Sequence, residues 1–409
     1  MKTPVKLISI PPDKYSCFRR QVIFSCYKWD PQVGDVNTIG DQVAIISAKT
    51  GKQLCQWAEQ LAAETLELEM ELTKRPELYP VLGLSRPIQK ALSAGRYHPD
   101  QNVRLMRFDF HPTKEGWMVS EVNSDVPGGF GEASRLNQLA ASLFPCYISD
   151  GDVGTALTNS FSSLIPEHGR VAFVHATSYS DDRQVMHFLS ETFQKAGFKC
   201  LMIAPDHLRW DSTGPISIAV EQEGPVQGVV RFFPAEWLQF LPRSSAWQGF
   251  FLQSVSACNH PAAILTQSKR LPLIWDQLQI PVPTWRRLLP ETVDPRKMAW
   301  RNDPGWILKP AFGRVGGDIS IPEAISPKER IRIYRDATFF PNRWVAQRRF
   351  NSLPLPGSTG NHHLCIGVFT VNGRAAGFYG RLSFLPRIDE RAQDIAVLIE
   401  RKDVANNDQ

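Results

Sequence analysis

MRFDFHPTKEGWMVSEVNSDVPGG, residues 106–129, sets Asp109, Glu121 and Asn123 on two short apolar-flanked runs and ends on the pair Gly128-Gly129. Apolar and polar residues alternate in VRLMRFDFH and again in GWMVSEVNS, which predicts two strands joined through PTKE as a hairpin. Residues two apart on a strand share a face, so Glu121 and Asn123 project together, and pairing about the turn brings Asp109 to them with Arg107 alongside. Two readings fit. A half-exposed strand alternates as a matter of course, its polar side meeting water. Alternatively, two acids and an amide are the hard oxygens that Mg²⁺ takes from a protein, with phosphates and water completing its shell.

Upstream, GKQLCQWAEQLAAETLELEMELTKRPELYP repeats apolar residues at helical spacing (Leu54, Trp57, Leu61, Leu68) and stops near Pro76, a long amphipathic helix with a core-facing stripe. SRPIQKALSAG is a second helix, closed by Gly95. GEASRLNQLAASLF, just after the glycine pair, is a third. From Gly169 the pattern changes: GRVAFVHA, KCLMIAP and VQGVVRFF are buried-type strands, and DDRQVMHFLSETFQKAGF is a helix ending at Gly197. An alternating β/α segment with a parallel sheet is expected there, without the G-x-G-x-x-G of a dinucleotide site. In the last third SKRLPLIWDQL reads as helical, GWILKPAFGRVGGDISI as strand, glycine loop, strand, and NRWVAQRRF as a strand. HHLCIGVFTVNGRAAGFYGRLSF is a hairpin turning at Asn372-Gly373, a dipeptide that tolerates two positive φ angles.

Composition bounds the function. A chain of 409 residues, 43% hydrophobic and 21% charged, is long for one core and folded rather than fibrous or disordered. Its 46 basic and 41 acidic residues are thinly spread with no Lys/Arg block, so a small anion suits it better than nucleic acid. The seven cysteines lack C-x-x-C or C-x-x-H spacing, the histidines lack zinc spacing, and no signal-type start or long apolar run occurs. The expectation is a cytoplasmic protein with reduced thiols and no membrane insertion.

In ILKPAFGRVGGD, residues 307–318, Lys309 ends a strand and Gly313, Gly316 and Gly317 follow. Such a loop can open backbone N–H groups to phosphate oxygens beside an ammonium. A tight turn next to a surface lysine is the plainer alternative, and no G-K-[ST] of a Walker loop is present.

RFDF, SEVNSDVPGG, SKRLPLIWDQL and WILKPAFGRVGG, in that order and at these separations, resemble the synthetase domain of glutathionylspermidine synthase, a member of the ATP-grasp superfamily. The resemblance runs from about residue 100 to about residue 385 and is weaker in the first hundred. It implies an α/β ATP-grasp fold with a Rossmann-like pre-ATP-grasp lobe. The segments it suggests are a helical and mixed region (1–100), the metal-binding hairpin with its following helix (101–165), a Rossmann-like substrate lobe (166–260) and a C-terminal ATP-binding lobe (261–409).

By the same resemblance Asp109, Glu121 and Asn123 are metal ligands, for two Mg²⁺ ions. Lys269 and Lys309 are the ATP-phosphate lysines, with the glycine loop folding over the phosphates. Gln347 matches a nucleotide-contacting position, and Arg107 and Arg381 are catalytic arginines near the transferred phosphate. The implied chemistry is attack of a carboxylate on the γ-phosphate of ATP, followed by attack of an amine on the acylphosphate. Such a step needs charge neutralisation and alignment rather than a protein nucleophile. Small peptide-like or polyamine-like carboxylate and amine substrates are its partners.

Departures fall on the substrate side. Gly128 and Gly129 stand where glutathione-using members carry hydroxyls, and Phe232 stands where a polar substrate contact is expected. Nothing in the sequence resembles the amidase half of bifunctional members. Asp182, with Asp181 in SYSDD, is most simply a first-turn acid of a helix, and by resemblance a holder of the amine. Two rivals remain: a non-catalytic ATP-grasp scaffold, and a phosphotransferase that stops at the phosphorylated substrate.

Overall fold

Leu105–Thr113 and Gly116–Asn123 pair antiparallel about Lys114-Glu115, at one edge of a nine-stranded sheet in the computed structural model, which describes residues 4–252 and 254–401. The order across that sheet is Val5–Ser9, Ile39–Ile46, Gln393–Glu400, Arg374–Ser383, Gly360–Val371, Leu105–Thr113 and Gly116–Asn123, with two short strands, Leu355–Gly357 and Tyr147–Ile148, paired at its sides. Every pairing is antiparallel except Ile39–Ile46 with Gln393–Glu400.

Alternation along these strands feeds two cores. Met106, Phe108, Phe110, Val397 and Ile399 pack with Leu54, Leu61 and Leu68 of the long helix Ala48–Leu72, whose first turn is capped by the Ser47 hydroxyl on the Thr50 N–H. On the opposite face Ile39, Val43, Ala396 and Leu398 meet Phe18 and Val22 of helix Pro12–Ser25. The Asn372-Gly373 turn has φ of +48° and +79°, as a two-residue hairpin of matching twist requires.

The β/α segment forms a four-stranded parallel sheet in the order Ser256–Cys258, Gly228–Arg231, Arg170–Val174, Lys199–Ile203, with helix Ser180–Lys195 as the crossover. A third sheet, Thr292–Val293, Trp344–Arg348 and Trp306–Pro310, is antiparallel and backed by helix Pro327–Phe339 through Trp306, Leu308, Trp344 and Ile333.

Some expectations change. SKRLPLIWDQL is largely a 3-10 helix, Leu271–Gln277, with Pro272 in its first turn. DISI is not a strand: Ser320 donates its N–H to the Leu308 carbonyl, but its hydroxyl, not a carbonyl, accepts the Leu308 N–H, so no ladder forms. The segments 1–100, 101–165 and 261–409 contribute strands to one sheet, while 166–260 holds the parallel one. All seven cysteines are free. Among the described residues no helix is long and apolar enough to cross a membrane.

Candidate active site

A cavity of about 410 Å³ opens between the three sheets. The hairpin forms its floor through one irregularity. Arg107 faces Asn123 and Asp109 faces Glu121, but Phe110 faces Val119, so Ser120 is an extra residue. Strict alternation would carry Glu121 and Asn123 to the side of Trp117 and Val119, which is the core. The bulge reverses the sense, turning Val122 inward and sending Ser120, Glu121 and Asn123 to the cavity with Arg107, Asp109 and His111.

Asp109 is gripped by Arg107, whose Nε and terminal nitrogen donate to the two carboxylate oxygens at 2.7 and 2.9 Å, and the Asn123 amide donates to Asp109 at 3.0 Å. Burial opposes the guanidinium charge, yet Asp109 more than offsets it and raises the Arg107 pKa. Arg107 also donates to the Gly128 carbonyl at 2.6 Å and lies 5.0 Å over the Tyr379 ring.

Glu121 is paired with Lys269 at 2.8 Å, and the same ammonium donates to the Gly313 carbonyl at 2.8 Å. Burial would raise the Glu121 pKa, but Lys269 and then Lys309 pull it below the ordinary carboxylate value. Lys309 comes from the third sheet: Trp306 and Leu308 face the helix, so Ile307 and Lys309 face the cavity. Its ammonium is buried, with the Ser120 carbonyl 3.2 Å away, and burial brings its pKa down to about 8 against the pull of Glu121. His111, buried beside Ser120 and near Lys309, is pushed down to about 3 and is a neutral imidazole.

Gly316, at φ +63°, lines the cavity, and a Cβ there would run into the Ile388 carbonyl. Arg381 donates to the Asp389 carbonyl at 2.7 Å. Gly128, Gly129, Phe232 and Asp182 also line the cavity. Phe232 and Asp182 lie at the carboxyl ends of the parallel strands, where open α/β sheets bind ligands. Asp181 and Asp182 are pushed up to about 6, chiefly by burial, and for Asp181 also by Asp30.

Four expected residues stand off this wall. Lys269 reaches the cavity only through Glu121. Gly313 and Gly317 belong to the loop without lining it. Gln347 is buried in the third sheet, where its amide donates to Thr292 at 2.9 Å and its carbonyl oxygen has no partner.

Several wall residues were not foreseen. Lys28 bridges Asp394 at 2.7 Å and Glu132 at 3.2 Å, and the Tyr379 hydroxyl donates to Asp394 at 2.6 Å. Arg314, inside the glycine loop, bonds Glu236 at 2.6 Å and lies 5.5 Å over Trp237. Only Arg314 had a signal, its place in a motif already singled out.

Hard oxygens of two acids and an amide face one cavity with cationic side chains that include Arg107, Lys309 and Arg381, which is the donor chemistry of a Mg²⁺-phosphate site. No group of three or more His, Cys, Asp or Glu side chains suited to a metal occurs among the described residues, so any ion would need Asn123 and phosphate oxygens as well.

A sequence-family profile for the glutathionylspermidine synthase preATP-grasp region matches residues 18–396. No curated protein matches. Among solved structures, a glutathione synthetase-like effector from Globodera pallida aligns with a TM-score of 0.60 at 11% identity, covering 95% of this chain and 99% of that one. A protein of Methylobacillus flagellatus, provisionally named a γ-glutamylcysteine synthetase, aligns at TM-score 0.44 and 10% identity over 82% of this chain and 88% of its own. The first likeness is one of fold alone, in a mixed α/β chain whose family profile is of preATP-grasp type.

Proposed function

The chain belongs to the glutathionylspermidine synthase preATP-grasp family, and from that premise we propose that it joins a carboxylic acid to an amine at the expense of ATP. The observation that carries this reading is the convergence on one cavity of Asp109, Glu121 and Asn123 with Lys309, Arg107 and Arg381, from segments far apart in sequence.

ATP is the phosphoryl donor. Asp109, Glu121 and Asn123 hold Mg²⁺, which when bound neutralises phosphate charge. Lys309 and the Gly316 turn embrace the phosphates, and Lys269 keeps Glu121 ionised. The substrate carboxylate displaces ADP from the γ-phosphorus, and the amine then attacks the acyl carbon, expelling phosphate and giving up a proton. Arg107 and Arg381 face the charge that develops at the phosphoryl and acyl centres. Asp182, with Asp181 and Asp30 near it, supplies carboxylates for a cationic amine at the far end.

Purified protein is expected to gain thermal stability with Mg-ATP, to lose that gain in Asp109→Ala and Glu121→Ala, and to release ADP with a suitable acid and amine. Stabilisation indifferent to both substitutions would favour a scaffold. Hydroxylamine yields a hydroxamate from an acylphosphate but nothing from a phosphate ester, which separates a ligase from a phosphotransferase.

A further inference from the structure

The wall of the cavity beside Arg107 is apolar where an acid's own substituent would rest. Phe232 follows strand Gly228–Arg231, and its N–H donates to the Val174 carbonyl at 2.7 Å, which keeps it in line with the parallel sheet. Its ring is braced edge-on by Phe130 at 6.3 Å, and Phe130 in turn packs on Phe369 at 5.6 Å. The ring tip lies over Gly128: a Cβ there would sit 3.4 Å from Cζ of Phe232, ordinary contact. Arg107 holds the Gly128 carbonyl at 2.6 Å, so guanidinium and ring border the same spot. Val126, Pro234 and Trp237 continue the wall. Apart from the Trp237 indole N–H, these side chains offer no donor or acceptor.

We propose that the acid activated at this site carries an apolar substituent, alkyl or arylalkyl, next to its carboxylate, and that Phe232 over Gly128 selects it. This rests on the ligase reading above. Arg107 draws the carboxylate to one end of the wall, while the ring and its neighbours receive the chain attached to it. Against the Phe232 ring itself an amide or ammonium would find no partner, a handicap of roughly 5- to 100-fold in affinity; Arg314, which also lines the cavity, lies over Trp237 and is already paired with Glu236.

The test uses the full chain with ATP, Mg²⁺ and hydroxylamine, and a panel of 3-phenylpropanoate, hexanoate, N-acetylglycine and glutathione. Binding of the same acids is measured separately by calorimetry with Mg²⁺ and a non-hydrolysable ATP analogue. The expected result is hydroxamate from 3-phenylpropanoate or hexanoate at a kcat/KM about tenfold or more above the polar acids. Phe232→Ser combined with Gly128→Ser should narrow or reverse that preference, and Phe232→Leu should keep it.

Equal or better use of glutathione, or a preference untouched by the double substitution, overturns the inference while leaving the ligase standing. Apolar acids binding more tightly without ADP release support the wall and remove the ligase. If no acid binds and none yields hydroxamate, both fall. Calorimetry on Phe232→Leu keeps the result decisive should the double variant fail to fold.

Discussion

Lys309→Met removes an ammonium that the apo protein holds at a cost. Lys309 is buried, and its nearest acceptor is one carbonyl, that of Ser120, 3.2 Å away. Burial takes its pKa from 10.5 to about 8 even with Glu121 pulling upward. At roughly 1.4 kcal/mol per pH unit, that displacement destabilises the folded state by about 3 kcal/mol at neutral pH. Methionine is near in volume and carries no charge, so the variant sheds this cost and forgoes one hydrogen bond of about 1 kcal/mol. The expected net effect in metal-free buffer at pH 7 is a gain of about 2 kcal/mol.

The pH dependence has a definite sign. The folded pKa lies below the unfolded one, so the unfolded chain binds the extra proton between about 8 and 10.5 and the wild type gains stability as pH rises through that window. The advantage of Lys309→Met is therefore full below pH 8, shrinks above it and is gone by about pH 10.5. Urea denaturation at pH 7 and 9.5 reads this directly, and Mg-ATP titration of the same variant should show affinity reduced tenfold or more, since a charge-assisted contact is worth about 1.5–3 kcal/mol. A variant less stable than wild type at pH 7, with no narrowing at pH 9.5 and unchanged ATP affinity, would refute the reasoning and make Lys309 a structural cation.

Asp125, fully buried, is paired with Arg231 and accepts the Ala235 N–H at 2.8 Å, tying the metal-type hairpin to the parallel sheet. Asp125→Ala leaves that guanidinium buried and unpaired and should cost 3–5 kcal/mol in urea denaturation, about what breaking such pairs costs. Gly316→Ala adds a Cβ against the Ile388 carbonyl at a left-handed φ. The protein should fold with a stability loss of about 1–3 kcal/mol and bind Mg-ATP several-fold more weakly, measured by thermal shift and calorimetry.

Legibility in the sequence followed the range of the forces involved. The hairpin was readable because period-two alternation is local, but alternation by itself does not set Asp109 beside Glu121. The Ser120 bulge was not, although it alone keeps Glu121 out of the core: an inserted residue leaves no mark when both sides of it alternate acceptably. Asn372-Gly373 announced its turn because few other dipeptides take two positive φ angles. Lys28, Tyr379 and Asp394 stayed hidden, since nothing local in the N-terminal residues says that they fold against the last strand. The loop 318–321 read as a strand because Ile-Ser-Ile has strand composition; only the Ser320 hydroxyl bond to Leu308 shows otherwise.

The parallel pairing of Ile39–Ile46 with Gln393–Glu400 has a consequence for the birth of the protein. During synthesis the early strand leaves the ribosome long before its partner exists, and until then the hairpin Gly360–Val371 with Arg374–Ser383 also has an open side. Two unsatisfied edges in a nascent chain invite pairing with other molecules. That strand closes both at once, so the floor that presents Asp109 and Glu121 is completed only once Gln393–Glu400 has been made, and a chain arrested before Gln393 would be a sticky half-sheet rather than a smaller working protein.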